Sequence, residues 1–446
     1  MYLAYSLLLS LGLLLLSPYF LFQALVHRKY IDGLRERFGF VPAFDKQPVI
    51  WLHCVSVGET QAARPLVERL RKELPHHALV VSTVTLTGQR LARDLFRTQA
   101  ARVFYFPFDW RWTVRRVLSA VNPAVVLVME TELWPNFLHE CKAREIPVAI
   151  VNGRISRKSF ARYLRIRFFL RRVLEDLTIA VMQSEKDAER IRALGMLPQK
   201  SFTSGNLKFD AGIYTDESTD LSGRFQLASA TPLLLAASTH APEEKILLES
   251  FARLRESNRV RLMIAPRKPE RFNEVAALVE ASGFSWARRT DAPAPTDANA
   301  EVILLDTIGE LPSIYSLATA VFVGGSIVDR GGHNVLEPAA HGVAVVTGAH
   351  THNFHAIVEQ LNEANALVQL PPVHGAEAVA KLTEVFQRLL TDAEWRSGLG
   401  TRAKEIIDAN QGAAERTMKL IAPLFSTPQP NGSTSDSLLP ANAHTS

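Results

Sequence analysis

Residues 1–26 carry no charged side chain and are rich in leucine, with an unbroken run at Leu13–Leu16. As one helix, rising about 1.5 Å per residue, they would reach ~39 Å and could cross a hydrocarbon core of about 30 Å with some tilt. Basic residues, beginning with Arg28 and Lys29, follow directly. Basic flanks tend to stay in the cytoplasm. We therefore predict a single-pass membrane anchor over residues 1–26, with the rest of the chain cytoplasmic.

Two alternatives apply to this apolar segment. A cleaved signal peptide would need basic residues before the apolar run and a small-x-small site after it, and the sequence has neither. Pro18 keeps a second alternative open, a monotopic hairpin or a helix that lies in the membrane interface.

Beyond residue 46, short apolar runs alternate with segments of helical period. The runs that predict buried strands fall into two series, namely residues 49–55, 78–84, 102–106, 124–129 and 148–152, then 233–237, 261–265, 302–305, 321–323 and 343–346. Strand–helix alternation of this kind is typical of a parallel sheet covered by helices. We predict an α/β protein with two Rossmann-like domains facing a cleft, where ligands bind at the carboxyl ends of the strands.

Composition sets the domain limits. We expect an N-terminal domain over 27–210, a polar linker over 211–224, a C-terminal domain over 225–425 and a disordered tail over 426–446. A net charge of +5 over 446 residues is too weak to indicate nucleic acid. The two cysteines, Cys54 and Cys141, are too far apart for a metal or redox motif, and they favour a reducing compartment.

Several common cofactor motifs are missing. The sequence contains no G-x-x-x-x-G-K-[ST], no G-x-G-x-x-G after the first strand, no H-E-x-x-H and no G-x-S-x-G. It also has no Asp-x-Asp at a predicted strand end of these two domains. We therefore expect neither a cofactor nor a metal ion.

Acidic and basic residues follow predicted strands in the first half. Gly58 allows a sharp turn that places Glu59 at the cleft, where a carboxylate can act as a general base, although it can equally complement a helix dipole. Glu130 and Glu132 precede Trp134, a set suited to sugar hydroxyls or to the first turn of a helix. Lys208 could face developing charge or be a solvated hinge residue.

The second half contains three segments suited to a phosphorylated nucleotide. Gly324-Gly325-Ser326 and Gly331-Gly332-His333 lead into Asn334-Val335-Leu336-Glu337, where a helix begins and Glu337 could accept ribose hydroxyls. Gly309-Glu310-Leu311 also begins a helix, and Pro266-Arg267 ends a strand with a cation.

The segment from Arg154 to Arg172 is basic and aromatic and contains no acid. Beside an apolar N-terminus it favours a surface for anionic lipid, while nucleic acid and an ordinary solvated helix remain alternatives.

Together these motifs resemble the 3-deoxy-D-manno-octulosonic acid (Kdo) transferases of Gram-negative bacteria. The resemblance extends from the N-terminus to about residue 424, and it is carried by Val55-Ser56-Val57-Gly58-Glu59, Glu130-Thr131-Glu132-Leu133-Trp134-Pro135-Asn136, Gly205-Asn206-Leu207-Lys208-Phe209-Asp210, Gly324-Gly325-Ser326 and Gly332-His333-Asn334-Val335-Leu336-Glu337-Pro338.

The resemblance implies a GT-B glycosyltransferase fold at the cytoplasmic face of the bacterial inner membrane. It implies inverting, metal-independent transfer of Kdo from CMP-Kdo to the lipid A precursor (lipid IVA) in lipopolysaccharide synthesis. Glu59 would be the base, while Glu130 and Lys208 would support the transition state. CMP would be held by Pro266, Arg267, Gly309, Glu310, Leu311, Asn334, Val335, Leu336 and Glu337. The alternatives are a transferase or epimerase that uses a UDP-sugar, and a membrane-tethered scaffold without activity.

Overall fold

The computed structural model describes residues 1–27, 33–44, 48–211, 221–227 and 231–425. The chain divides into two compact units. Unit 1 comprises Met1–Ser56, Glu68–Thr203 and Glu415–Ser446, and unit 2 comprises Val57–Val67 and Ser204–Ala414. The tail predicted over 426–446 and most of the predicted linker lie outside the described residues. The domain limits expected from composition stay predictions.

Unit 1 is built on a seven-stranded parallel sheet in the order β3-β2-β1-β4-β5-β6-β7. Its strands are β1 (Val49–His53), β2 (Ala78–Thr83), β3 (Arg102–Tyr105), β4 (Pro123–Met129), β5 (Val148–Gly153), β6 (Ile179–Met182) and β7 (Ser201–Thr203). Its helices are α1 (Tyr2–His27), α2 (Leu34–Arg37), α3 (Val57–Glu73, whose first part belongs to unit 2), α4 (Leu86–Leu95), α5 (Arg111–Val121), α6 (Pro135–Ala143), α7 (Arg157–Arg165), α8 (Arg167–Leu174) and α9 (Glu185–Leu194), with a 3-10 turn at Pro198–Lys200.

Unit 2 repeats the plan with a second seven-stranded parallel sheet, in the order β10-β11-β9-β8-β12-β13-β14. Its strands are β8 (Leu233–Thr239), β9 (Arg261–Pro266), β10 (Trp286–Arg288), β11 (Val302–Leu304), β12 (Ala320–Val323), β13 (Ala344–Thr347) and β14 (Val368–Gln369). Its helices are α10 (Lys208–Ala211), α11 (Leu221–Arg224), α12 (Glu243–Arg255), α13 (Phe272–Ala281), α14 (Leu311–Tyr315), α15 (Leu336–Ala340), α16 (His355–Glu363), α17 (Gly375–Thr391), α18 (Ala393–Asn410) and α19 (Ala413–Ile421), with 3-10 turns at Pro269–Arg271 and Pro295–Asn299. The last helix, α19, continues into unit 1, to which the 3-10 turn at Ala422–Phe425 belongs.

Both sheets are covered on two faces, which is why their strands are continuous apolar runs. In unit 2, Leu234 and Phe322 pack in one hydrophobic layer, while their neighbours Leu235 and Val321 pack in the other. In unit 1 the fully buried ring of Trp51 packs edge-on against Phe137. The two parallel-sheet α/β domains predicted from the hydrophobic pattern are confirmed.

The apolar N-terminus is helical, and the beginning of α1 packs against unit 1. The ring of Tyr2 stacks on His139 at 3.9 Å, and Nε1 of Trp110 donates a hydrogen bond to Oγ of Ser10 (3.0 Å). Many leucines of α1 remain exposed, among them Leu7 (71 %). Over the described ranges, the structure has no helix that is both long and apolar enough to cross a membrane, so the spanning anchor predicted over 1–26 is not supported.

Candidate active site

Glu59 lies in the first turn of α3, which follows β1 after the short connection 54–56. Its side chain is only 6 % exposed, so its carboxylate is largely removed from water. His53, the last residue of β1, is fully buried, and its Nδ1 lies 2.9 Å from Oγ of Ser82. Burial lowers the pKa of His53 to about 3, so this imidazole is neutral at physiological pH. The structure therefore places a buried carboxylate at the carboxyl end of a parallel strand, as the sequence predicts.

Glu130 follows β4 in a left-handed conformation (φ 54°), and its N–H donates to the carbonyl of Val151 (3.0 Å). Next to it, Oγ1 of Thr131 donates to the carbonyl of Arg154 (2.7 Å) and accepts from the N–H of the same residue (3.0 Å). The ends of β4 and β5 are thereby tied together, and the backbone that carries Glu130 is held in place.

Glu132 has an electrostatic property that the sequence did not reveal. Burial raises the pKa of Glu132 to about 7, and the charge of Glu130 adds to the rise. The loop after β4 therefore holds one carboxyl group that is partly protonated near neutral pH. The only sequence signal for this is the spacing of two acids at a strand end.

The residues after Glu132 begin α6. Asp109 accepts hydrogen bonds from the N–H groups of Asn136 (3.0 Å) and Phe137 (2.8 Å), so its carboxylate caps the helix. Trp134 packs its ring 5.4 Å from the ring of Phe106, and its buried Nε1 has no hydrogen-bond partner among the residues that the structure describes. Pro135 and Asn136 therefore form the first turn of a helix, which is one of the two interpretations of this motif. The buried indole N–H of Trp134 remains as a hydrogen-bond donor without a partner among the described residues.

Lys208 is the first residue of α10 in unit 2. Its Nζ lies 3.4 Å from the carbonyl oxygen of Asn353 and 5.4 Å from the ring centre of Phe354. Asp210, two residues later, accepts from the N–H groups of Gly412 and Ala414, both at 2.7 Å. Asp210 therefore ties the end of this motif to residues 412–414, and the N–H of Lys208 donates to Oδ1 of Asn206 (3.0 Å) where the short helix begins.

The predicted nucleotide segments come together in unit 2. Pro266 ends β9, and the N–H of Arg267 donates to the carbonyl of Thr239 on the neighbouring β8 (3.1 Å). Glu337 accepts from Nδ2 of Asn334 (3.0 Å) and from the hydroxyl of Tyr315 (3.1 Å). Burial raises the pKa of Glu337, while these hydrogen bonds and the charge of Arg267 oppose the rise. Arg267 therefore acts electrostatically on Glu337.

The segment at Gly309 joins this group through α14. Gly309 adopts φ 97°, and Glu310 pairs with Arg289 (2.9 Å) just before Leu311 begins the helix that carries Tyr315. Val335 and Leu336 are each 1 % exposed, so any contact they make with a nucleotide is through the backbone.

Glu243 is a site residue that sequence reasoning missed. It is fully buried, and its carboxylate accepts hydrogen bonds from Gly325 (2.7 Å), Ser326 (3.0 Å) and Ile327 (3.0 Å), all from backbone N–H groups. The carboxylate therefore holds the glycine loop that follows β12. Across the described residues, no cluster of three or more His, Cys, Asp or Glu could hold a metal ion.

Solved structures show the fold class. UDP-GlcNAc 2-epimerase from Neisseria meningitidis, bound to UDP-GlcNAc, superposes with a TM-score of 0.55 at 14 % identity, over 84 % of this chain and all of that one. MurG from Acinetobacter baumannii gives 0.51 at 14 % identity, over 85 % of this chain and all of that one. The architecture is therefore that of two-domain α/β proteins of the GT-B glycosyltransferase type.

Sequence relatives define the family within that class. A family model described as 3-deoxy-D-manno-octulosonic-acid transferase (kdotransferase) matches residues 32–211. The 3-deoxy-D-manno-octulosonic acid transferase of Haemophilus influenzae is 35 % identical over 89 % of this chain and 92 % of its own. That of Bordetella pertussis is 31 % identical over 86 % of this chain and 89 % of its own. This chain belongs to the 3-deoxy-D-manno-octulosonic acid transferase family of glycosyltransferases.

Proposed function

We propose that this protein transfers Kdo from CMP-Kdo to the lipid A precursor (lipid IVA) in lipopolysaccharide synthesis, with inversion at the anomeric carbon and without a metal ion. The burial of Glu59 at the end of β1 carries the proposal. A carboxylate held away from water at this edge of a sheet is suited to accept a proton from a sugar hydroxyl.

In the proposed step, Glu59 accepts the proton of the acceptor hydroxyl as the oxygen attacks the anomeric carbon of Kdo. The bond between that carbon and the phosphate oxygen breaks, and CMP leaves with the bonding electron pair. Glu130 and Lys208 support the charge that develops in the transition state. The backbone N–H of Glu130 is bound to Val151 and that of Lys208 to Asn206. These contacts favour backbones that keep their positions during the reaction.

CMP is assigned to the segments that carry Arg267, Gly309 and Glu337. Arg267 is exposed and supplies a permanent positive charge for a single phosphate, while the oxygens of Glu337 suit the hydroxyls of a ribose. CMP carries one phosphate and therefore less negative charge than a nucleoside diphosphate, so its departure from the anomeric carbon depends less on a bound cation. A UDP-sugar donor remains the alternative enzymatic function.

We further place the protein on the cytoplasmic face of the inner membrane, bound to anionic lipid through unit 1. The exposed residues Leu164, Ile166 and Phe168 lie among the arginines of α7 and α8, and Phe168 is 86 % exposed. The ring of Tyr5 in α1 lies 6.2 Å from that of Phe169, so the leucine-rich helix and the basic segment adjoin. Because the first part of α1 packs on unit 1, a helix in the membrane interface fits better than a single-pass anchor.

The test is reaction of the full chain with CMP-Kdo and lipid IVA, followed by mass spectrometry of the lipid. We expect a product heavier by one or more Kdo units, and free CMP in equal number. Thermal protection by CMP and by UDP separates the two donor classes, since the bound nucleotide raises the melting temperature. An unchanged lipid mass, or protection by UDP alone, would contradict the proposal.

A further inference from the structure

Two histidines of unit 2 form a stacked pair at the carboxyl ends of adjacent strands. His240 follows β8 and His333 lies in the loop after β12; their ring centres are 5.1 Å apart and the planes differ by 8°. The two Nε2 atoms are 2.9 Å apart, so one of them donates a hydrogen bond to the other. Within residues 231–425, neither Nδ1 atom has a hydrogen-bond partner, so the pair keeps polar atoms available for a ligand.

The backbone around the pair is fixed by buried groups. The carboxylate of Glu243, which holds the glycine loop, also accepts from the N–H of His240 (3.0 Å), and the N–H of His333 donates to the carbonyl of Gly324 (3.2 Å). At Gly325 (φ 67°), a Cβ atom would lie 3.0 Å from Cδ2 of His333. The glycine therefore makes room for the imidazole, and the paired rings have little freedom to move.

Positive charge predominates around the pair. The positive charge of Arg267 acts on the ring of His333. The charges of Arg330, Lys268 and Arg271 act on the ring of His240. Two buried acids lie near the pair. Glu244 is already paired with Arg271 (2.6 Å), and Glu243 accepts from the backbone N–H groups of His240 and the glycine loop. Burial first, and these cations next, lower the pKa of both histidines, that of His333 to about 4. At neutral pH the pair is thus uncharged in a positive environment, which favours an anion.

We propose that His240 and His333 form a subsite for the carboxylate of the donor sugar, beside the phosphate position at Arg267. This rests on the proposed CMP-Kdo donor. In that molecule the carboxylate and the phosphate oxygen are attached to the same anomeric carbon, so the groups that bind them must be neighbours. An arriving carboxylate stabilises the imidazolium form, so the pair takes up a proton when the donor binds.

The test compares binding of CMP and CMP-Kdo to the full chain by calorimetry, without acceptor. For His240→Gln and His333→Gln we expect CMP affinity to stay within about twofold, while CMP-Kdo affinity falls about tenfold or more, because charge-assisted hydrogen bonds are lost. His374→Gln, an exposed histidine at the start of α17, is the matched control and should bind both ligands normally. Titration in two buffers of different ionisation enthalpy should show proton uptake with CMP-Kdo and none with CMP.

Retained CMP binding shows that a variant is folded. Equal losses for CMP and CMP-Kdo would overturn the subsite, since the pair would then serve the nucleotide or the fold. Unchanged CMP-Kdo affinity in both variants would overturn it as well. A wild-type chain that binds CMP-Kdo through this pair but transfers no Kdo would instead overturn the proposed function and leave the subsite in place.

Discussion

The hydroxyl of Tyr315 donates a hydrogen bond to Oε2 of Glu337 at 3.1 Å, and this bond joins α14 to α15. Tyr315 is 2 % exposed, so bulk water does not compete with its hydroxyl for Glu337. Two segments that are separated in sequence, and that are both assigned to CMP, are thereby held in one arrangement.

Replacement of this hydroxyl should weaken CMP binding. For Tyr315→Phe we expect CMP affinity to fall about fivefold and the free energy of unfolding to fall by about 1 kcal/mol, because Glu337 loses the hydroxyl donor at Oε2 and keeps the amide donor of Asn334. Calorimetric titration with CMP and thermal melts would measure both. Tyr163→Phe in unit 1 is the control and should bind CMP normally. Loss of stability with unchanged CMP affinity would reduce Tyr315 to a packing role.

Removal of the proposed base should abolish transfer and spare nucleotide binding. For Glu59→Gln we expect the rate of Kdo transfer to fall by about 10²–10⁴-fold, because the amide cannot accept the acceptor's proton. CMP affinity should stay the same. Glu73→Gln, at the exposed end of the same helix, should retain full activity. A Glu59→Gln protein with near-normal turnover would refute the assignment of the base.

Titration of Glu132 should reduce stability as the pH rises. Its pKa is raised in the folded protein, so folding favours the protonated form and the contribution is lost between about pH 4.5 and about pH 7. Glu132→Gln stays neutral at every pH. We therefore expect its melting temperature to fall less than that of the wild type between pH 5 and pH 8. Asp94→Asn, at an exposed position, is the control and should follow the wild type. Identical pH dependence in all three proteins would show that Glu132 is ionised throughout.

Charge reversal on the basic segment should weaken membrane binding. For Arg165→Glu with Arg167→Glu we expect partitioning onto phosphatidylglycerol vesicles to fall by about tenfold or more, since each basic residue near an anionic surface contributes about 1 kcal/mol. The difference should shrink at high salt because surface charges are screened. Lys245→Glu, an exposed lysine of α12, should have no effect. Equal partitioning of all three proteins would assign the arginines to an ordinary solvated surface.

The hydrophobic pattern predicted the longer strands well. The run predicted over residues 49–55 contains β1 (Val49–His53), whose five residues are all buried, because a strand covered on both faces must be apolar throughout. It missed β6 (Ile179–Met182), an interior strand of only four residues. It also missed three strands of two or three residues at sheet edges, namely β7, β10 and β14. Edge strands need less apolar surface, so their sequences carry a weak signal.

The residues of the candidate site also fall into those that the sequence indicated and those that only the structure revealed. Local sequence determined which residue types follow each strand, including Glu59, Glu130 and Arg267, because a glycine or a short turn after a strand acts over a few residues. Tertiary structure alone decided that Glu243 would hold the glycine loop, that His240 would reach His333 across 93 positions, and that Glu132 would have a raised pKa. The reason is physical: these properties depend on burial and on neighbours from distant parts of the chain, and a linear pattern records neither.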